Sequence, residues 1–181
     1  WCVCRGDANI YKTFALGPVD LAVPAGSILG LIGENGAGKT TALKLLCGAI
    51  RPAGGSVELL GGSPADPAIR ARIGVVFEDA YFPDCFNAAC VGKSMAGIFG
   101  KRWDTVKFDA LVRRFELDGS KKIKEYSRGM RMKLSFATAL AHDPELLILD
   151  EATAGLDPVV RGELLDLLLD FIQDEQHSVL M

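Results

Sequence analysis

One segment, residues 33–41 with the sequence GENGAGKTT, constrains the fold of this chain more than any other. It matches the pattern G-x-x-x-x-G-K-[ST], which occurs where a buried strand passes through a glycine-rich loop into a helix. The apolar residues 27–32 predict that strand, and residues 39–46 predict a helix that stops at Gly48. These flanking elements favour a functional loop over a chance glycine turn.

The loop has the composition that a triphosphate requires. Its glycines allow unusual backbone dihedrals, so successive N–H groups can surround the β- and γ-phosphates at the positive end of the helix. The Lys39 ammonium supplies a charge for the same phosphates, and the Thr40 hydroxyl is a ligand for Mg²⁺. The predicted nucleotide-binding residues in this segment are Gly33, Asn35, Gly36, Ala37, Gly38, Lys39, Thr40 and Thr41.

Two adjacent acids follow a second apolar strand, predicted at residues 146–149. In a fold with a phosphate loop, Asp150 at the end of that strand is placed to hold Mg²⁺ through water. Glu151 is then the candidate general base for the water that attacks the γ-phosphate. The alternative is a strand end capped by two solvated acids, and the phosphate loop in the same chain favours the catalytic interpretation.

Strands and helices alternate along the remainder of the chain. Residues 56–60 and 73–77 predict further strands, and residues 129–142 and 158–174 predict helices. This alternation indicates an α/β fold with a mostly parallel sheet.

The middle of the chain differs from the two ends. Residues 87–124 contain no convincing strand, and the apolar spacing of residues 109–115 is helical. We therefore expect a single domain with an inserted helical subdomain at residues 85–141, while residues 1–84 and 142–181 form the α/β core.

Composition argues against several classes of function. The 20 Lys and Arg residues are balanced by 23 Asp and Glu, so the basic excess of a nucleic-acid-binding protein is missing. The longest apolar stretch, residues 164–172, contains two aspartates and is shorter than the roughly 18–20 residues that cross a bilayer. No signal peptide is visible. The five cysteines form no C-x-x-C pair, which argues against zinc or a disulfide framework and favours reduced thiols in the cytosol.

Two further motifs give the chain a family resemblance. The sequence YSRGM at residues 126–130 precedes a predicted helix, and AGLD at residues 154–157 follows the acid pair. Together with the phosphate loop, they occur in the order found in ATP-binding cassette (ABC) ATPases, which the chain resembles from about Tyr11 to its end. The resemblance implies a P-loop NTPase (RecA-like) core with a mostly parallel sheet, an N-terminal antiparallel β portion and an inserted helical subdomain.

The resemblance also assigns roles in a dimer. YSRGM is similar to the family signature, so Ser127 and Gly129 are expected to contact the γ-phosphate of ATP bound to a second subunit. Asp157 is the expected D-loop aspartate, which communicates across that interface. Two such subunits would pack head to tail, as a homodimer or a heterodimer, with two MgATP molecules between them.

Two more positions gain roles by resemblance. Tyr11 lies 28 residues before Lys39, where the family has an aromatic residue that stacks on adenine. Phe14 is the alternative for this role, and a buried core tyrosine is the other interpretation of Tyr11. Glu78 follows a predicted strand at the place of the family's Q-loop, where it would contact Mg²⁺ or water. The alternative for Glu78 is an ordinary exposed acid.

The motifs depart from the usual family pattern. The signature has Tyr126, Arg128 and Met130 where Leu, Gly and Gln are usual, and Glu78 replaces a Gln. This combination resembles ATP subunits of ABC-2 type exporters, which act in drug and antibiotic resistance. The resemblance implies a subunit that hydrolyses ATP to power transport. Such a subunit is peripheral on the cytoplasmic face of the membrane, and its partner is a separate transmembrane permease. The alternatives are a translation-factor ABC ATPase acting on ribosomes or nucleic acid, and an inactive interaction module.

The two ends of the sequence suggest a fragment. The chain begins with Trp1, and residues 178–181 read as a strand that is cut off. The family's switch histidine is expected about 33 residues after Glu151, beyond Met181. His177 lies too early for that role and His142 reads as a helix-end residue. We therefore expect residues 1–181 to bind nucleotide but to hydrolyse it poorly.

Overall fold

The computed structural model describes residues 2–5, 9–11, 14–16, 21–34, 36–79 and 81–181. Within these ranges the strands are β1 (Cys2–Arg5), β2 (Asn9–Tyr11), β3 (Phe14–Leu16), β4 (Leu21–Val23), β5 (Ile28–Leu29), β6 (Ser56–Leu59), β7 (Ile73–Phe77), β8 (Leu146–Asp150) and β9 (Ser178–Leu180). The α-helices are α1 (Lys39–Leu46), α2 (Pro67–Arg70), α3 (Ala88–Phe99), α4 (Thr105–Arg114), α5 (Arg128–Leu140) and α6 (Pro158–Phe171). Two short 3₁₀ helices span Gly100–Arg102 and Ile123–Glu125.

The central sheet is parallel and has the order β5-β9-β8-β7. Helices α3 to α5 connect β7 to β8, and α6 connects β8 to β9. In the β7–β8 register, Phe77 lies opposite Asp150. The acids Glu78 and Glu151, which come directly after these two residues, therefore emerge at the same edge of the sheet. The predicted α/β class with a mostly parallel sheet is confirmed.

A smaller antiparallel sheet accompanies the parallel one. Its strand order is β4-β1-β6, and β2 and β3 form a separate antiparallel pair. The antiparallel N-terminal portion implied by the family resemblance is thus present.

Two hydrophobic clusters cover the two faces of the parallel sheet. On β8, Leu147 and Leu149 belong to the cluster formed with α3 to α6, whereas Leu146 and Ile148 belong to the cluster formed with α1 and β6. All five residues of β8 are buried. Burial on both faces explains why this strand is a continuous apolar run rather than an alternating one.

The strand before the phosphate loop is shorter than predicted. Residues 27–32 were expected to form it, but only Ile28 and Leu29 pair with β9 in the ladder. One further hydrogen bond joins the Leu31 N–H to the carbonyl of Met181, and Ile32 is fully exposed. The paired part of this strand therefore ends before the apolar run does. Similarly, β6 ends at Leu59 because Leu60 has a left-handed φ of 51°.

Helix α3 was not predicted as a separate helix. Its sequence, AACVGKSMAGIF, is rich in small residues and has two glycines, which have a low intrinsic preference for helix. The side chain of Asn87 caps its start by accepting a hydrogen bond from the Cys90 N–H at 2.9 Å. A Cβ at Gly92 would lie 2.8 Å from the Phe108 ring. Gly92 therefore permits the close approach of α3 and α4.

None of the helices in the described part of the chain combines the length and the apolar composition that crossing a bilayer requires.

Candidate functional site

The phosphate loop lies between β5 and α1 and contains two glycines with left-handed backbone. Gly36 has a φ of 87° and Gly38 a φ of 97°. A Cβ at Gly36 would meet no atom within 4 Å, so the backbone angle, not lack of space, requires glycine there. Gly38 begins α1 without a side-chain cap, which leaves the N–H groups of the first turn available to an anion. Asn35 lies outside the described residues.

Lys39 places its ammonium group at the loop. Its Nζ atom donates to the carbonyl oxygens of Gly33 at 2.8 Å and Glu34 at 3.2 Å. The same nitrogen lies 3.7 Å from Oε1 of Glu151. The positive charge therefore stands between the loop backbone and the candidate general base.

Thr40 and Asp150 meet across the gap between α1 and β8. The Thr40 hydroxyl donates to Oδ1 of Asp150 at 3.0 Å, and Asp150 is buried at 6% exposure. Hard oxygen donors of this kind suit Mg²⁺. In residues 21–34, 36–79 and 81–181, no three Asp, Glu, His or Cys side chains are placed to share one metal ion. Thr40 and Asp150 are therefore only a candidate oxygen pair for a metal ion.

Glu151 has an unusual backbone conformation. Its φ of 48° is left-handed, a region that residues other than glycine seldom occupy and that is enriched at functional sites. A turn follows, in which the Ala154 N–H donates to the Glu151 carbonyl at 2.9 Å. The sharp change of direction after β8 leaves the Glu151 side chain partly exposed at the end of the sheet.

One cavity of about 600 Å³ is lined by most of these groups, although Asp150 is not part of its lining. Its volume falls in the range of small-molecule sites. The residues that line it come from the phosphate loop, from the end of β7 and from the end of β8: Gly36, Gly38, Lys39, Thr40, Thr41, Glu78 and Glu151.

The signature segment begins α5. Ser127 accepts a hydrogen bond from the Met130 N–H at 3.2 Å and so caps the helix. Tyr126, which replaces the usual Leu, is buried and donates its hydroxyl to the Asp118 carbonyl at 2.8 Å. Burial raises the pKa of this phenol, and the negative charge of Asp118 adds to the shift, so the donor proton is retained. Gly129 packs against α6, since a Cβ there would lie 3.4 Å from the Val160 side chain.

The structure also shows a contact that sequence reasoning missed. Nη2 of Arg128 lies 3.2 Å from Oε1 of Glu78, so the two departures from the family pattern form an ion pair. A Cβ at Gly155 would lie 3.1 Å from Nη1 of Arg128. The ion-pair partners are 50 positions apart in the sequence, which explains why no local pattern predicted the contact.

The ABC transporter family model matches residues 16–154, a stretch that includes the phosphate loop, the signature segment and the acid pair. The chain belongs to this family. Its members are ATP hydrolases, and their nucleotide-binding domains bind ATP.

Relatives and solved structures agree with this assignment. The chain is 37% identical to a daunorubicin resistance ATP-binding protein of Streptomyces coeruleorubidus, covering 84% of this chain and 50% of that protein. It is 40% identical to the Nod factor export ATP-binding protein I of Cupriavidus pinatubonensis, covering 82% of this chain and 48% of that protein. A solved ATP-binding subunit of an ABC transporter is 25% identical, with a TM-score of 0.83 over 99% of this chain and 78% of that one. The chain spans about half the length of the curated relatives it matches.

Asp157, another predicted site residue of this ABC chain, is not part of the cavity lining. Asp157 accepts hydrogen bonds from the Val159 and Val160 N–H groups at 3.1 and 3.0 Å, and so caps α6 ahead of Pro158. Tyr11 is the last residue of β2 and pairs through its backbone with Phe14. The side chains of Tyr11 and Phe14 are outside the described part of the structure, and the stacking role stays a prediction.

The two histidines of the ABC chain are held by local contacts. Nε2 of His142 lies 2.9 Å from the Ile73 carbonyl, and the ring stacks on Phe99 at 4.0 Å. Burial lowers the pKa of His142 below its ordinary value. The ring of His177 stacks on Phe171 at 4.4 Å. Both residues therefore have structural partners away from the phosphate loop.

Proposed function

We propose that the chain binds MgATP in the cavity at the phosphate loop and hydrolyses it as the ATP-binding subunit of an ABC-2 type exporter. The observation that carries the proposal is the convergence of the loop, the Lys39 ammonium and two acids on one cavity of about 600 Å³.

The triphosphate would bind to the loop backbone and to Lys39. The glycine conformations at positions 36 and 38 and the uncapped start of α1 support contacts from main-chain N–H groups. Lys39 now donates to two carbonyl oxygens, and phosphate oxygens would replace these acceptors. A charged acceptor forms the stronger hydrogen bond, so the exchange favours binding.

Thr40 and Asp150 would hold Mg²⁺. Their oxygen atoms lie 3.0 Å apart, and both donor types match the preference of this ion. When bound, Mg²⁺ neutralises charge on the β- and γ-phosphates. Glu78 lines the same cavity and is the third candidate ligand.

Glu151 would act as the general base. Its carboxylate lines the cavity and is partly exposed, so it can reach water beside a bound γ-phosphate. It would accept a proton from the attacking water while the bond between the γ-phosphorus and the bridging oxygen breaks. The leaving group is ADP.

A second subunit would complete the site. Ser127 and Gly129 lie at the start of α5 and are not among the residues that line this cavity. Ser127 caps only the Met130 N–H, so the other N–H groups of the first turn remain available to an anion beside the Ser127 hydroxyl, and we assign these residues to the γ-phosphate of ATP on the partner. A head-to-tail pairing would also bring the Asp157 segments to the interface.

Relatives support a role in export. One is named for daunorubicin resistance and another for Nod factor export. By analogy we infer a separate transmembrane permease as the partner, on the inner face of the membrane, with residues 85–141 as the helical subdomain that contacts it. Nothing in these names supports the translation-factor alternative. Co-purification separates the two: a membrane permease bound to the protein is expected, whereas ribosomes would contradict the proposal.

The turnover of residues 1–181 is a separate prediction. The resemblance places a switch histidine about 33 residues after Glu151. We expect a polypeptide of residues 1–181 to turn over ATP more slowly than the same chain extended with the corresponding segment of the Streptomyces relative. A phosphate-release assay compares the two, and equal rates would show that this histidine is not required.

A further inference from the structure

We propose that Arg128 is a positioning residue that competes with the nucleotide-bound metal for the carboxylate of Glu78. The inference rests on the proposed function, since it concerns how MgATP binds in the same cavity. Arg128 would thereby set the dependence of nucleotide affinity on magnesium.

The position of Glu78 is the first support. Glu78 follows β7 at the edge where Asp150 ends β8, and it lines the phosphate cavity. It also lines a second cavity of about 700 Å³, together with Tyr126, Arg128 and Arg131. Glu78 therefore lies between the two cavities and lines both of them.

The geometry of Arg128 is the second support. Its Nη2 atom lies 3.2 Å from Oε1 of Glu78, and both side chains are about half exposed. On the other side, the guanidinium group lies against Gly155, whose left-handed φ is 66°. A Cβ at Gly155 would come within 3.1 Å of Nη1, so glycine leaves room for the guanidinium. Arg128, in the first turn of α5, therefore binds the Glu78 carboxylate. Its guanidinium group also lies beside the segment that follows Glu151.

Charge and chemistry define the competition. A guanidinium group has no acceptor and remains charged at any physiological pH, so it is a constant competitor for the carboxylate. Mg²⁺ prefers carboxylate oxygens, so a metal that takes Glu78 as a ligand competes with Arg128 for the negative charge of the same carboxylate. Because an exposed ion pair is weak, we expect its removal to change affinity by roughly two- to fivefold.

The experiment measures the magnesium gain, defined as the ratio of the ATP dissociation constants in EDTA and in excess Mg²⁺, by calorimetry. Arg128→Gln should raise this ratio roughly two- to fivefold, because Glu78 is released to the metal. Arg128→Lys keeps a charge and should stay near the parental ratio. Glu78→Gln should lower the ratio, and adding Arg128→Gln to it should produce no further change.

Arg131→Gln is the matched control. Arg131 lies on the same helix and lines the second cavity, but its ion-pair partner is Asp84 at 3.7 Å. Its replacement should leave the magnesium gain unchanged. A parental ratio in folded Arg128→Gln protein would overturn this inference alone, while failure of the parental chain to bind ATP would overturn the proposed function itself. Circular dichroism establishes that each variant is folded.

Discussion

The backbone of Glu151 is in a left-handed conformation with a φ of 48°. Such a residue costs of order 1–3 kcal/mol, so the surrounding structure must maintain it. Here the preceding β8 is wholly buried and the following turn is closed by a hydrogen bond from Ala154. The rigid frame fixes where the carboxylate emerges, 3.7 Å from the Lys39 ammonium.

Glu151→Gln tests the role of that carboxylate. The amide keeps the size of the side chain but cannot accept the proton of the attacking water, so ATP should still bind while turnover falls by about 10²–10⁴-fold. Binding by calorimetry and phosphate release in the chain extended at its C-terminus measure the two effects. Turnover at the parental rate would exclude Glu151 as the base.

At the scale of helices and strands, burial decided which elements the sequence revealed. Strand β7 was predicted with its observed bounds, and β8 differs by the inclusion of Asp150, because both strands are buried runs of apolar residues. Helix α1 was also correct, since the phosphate-loop pattern fixes its start. Helix α3 contains two glycines, which disfavour helix, and its packing depends on the contact between Gly92 and Phe108.

The two glycines of α3 make a paired prediction. At Gly92 an added methyl group would lie 2.8 Å from the buried Phe108 ring, so Gly92→Ala should destabilise the fold by about 1–3 kcal/mol. At Gly97 no atom lies within 4 Å, so Gly97→Ala should stabilise it by about 0.5–1 kcal/mol through helix propensity. Chemical denaturation of the two variants checks the opposite signs. A Gly92→Ala variant as stable as the parent would contradict the close packing of α3 on α4.

Across the whole molecule, side chains that join distant segments could not be predicted from local patterns. The phosphate loop and the acid pair were recognisable because each is contiguous in sequence. The Arg128–Glu78 ion pair and the contact of His142 with Ile73 depend on the packing of the helical segment against the sheet. The partners are 50 positions apart in the first contact and 69 positions apart in the second. Helical and strand periodicity relate only residues a few positions apart, so neither pattern predicts these contacts.

His142 should make the stability of the whole fold depend on pH. Burial holds its pKa below the ordinary value of 6.5, so the folded protein keeps the ring neutral while the unfolded chain takes up a proton. Its contribution is fully present above pH 6.5 and is lost as the pH falls below that value. His142→Gln keeps a donor for Ile73 without titrating. Its melting temperature should therefore decrease less than that of the parent between about pH 7 and pH 5.5. Identical decreases in the two proteins would contradict this assignment.

The central claim is that the phosphate loop and Lys39 bind the triphosphate of MgATP. It is tested most directly by calorimetry, in which ATP with excess Mg²⁺ is titrated into the parental chain, Lys39→Ala and Lys44→Ala. Lys44 lies on the same helix but does not line the phosphate cavity. The parent and Lys44→Ala should bind with equal affinity, and Lys39→Ala should lose at least about tenfold, because hydrogen bonds to charged groups are worth about 1.5–3 kcal/mol. An unchanged affinity in Lys39→Ala, or no binding by the parent, would contradict the assignment of this cavity to MgATP.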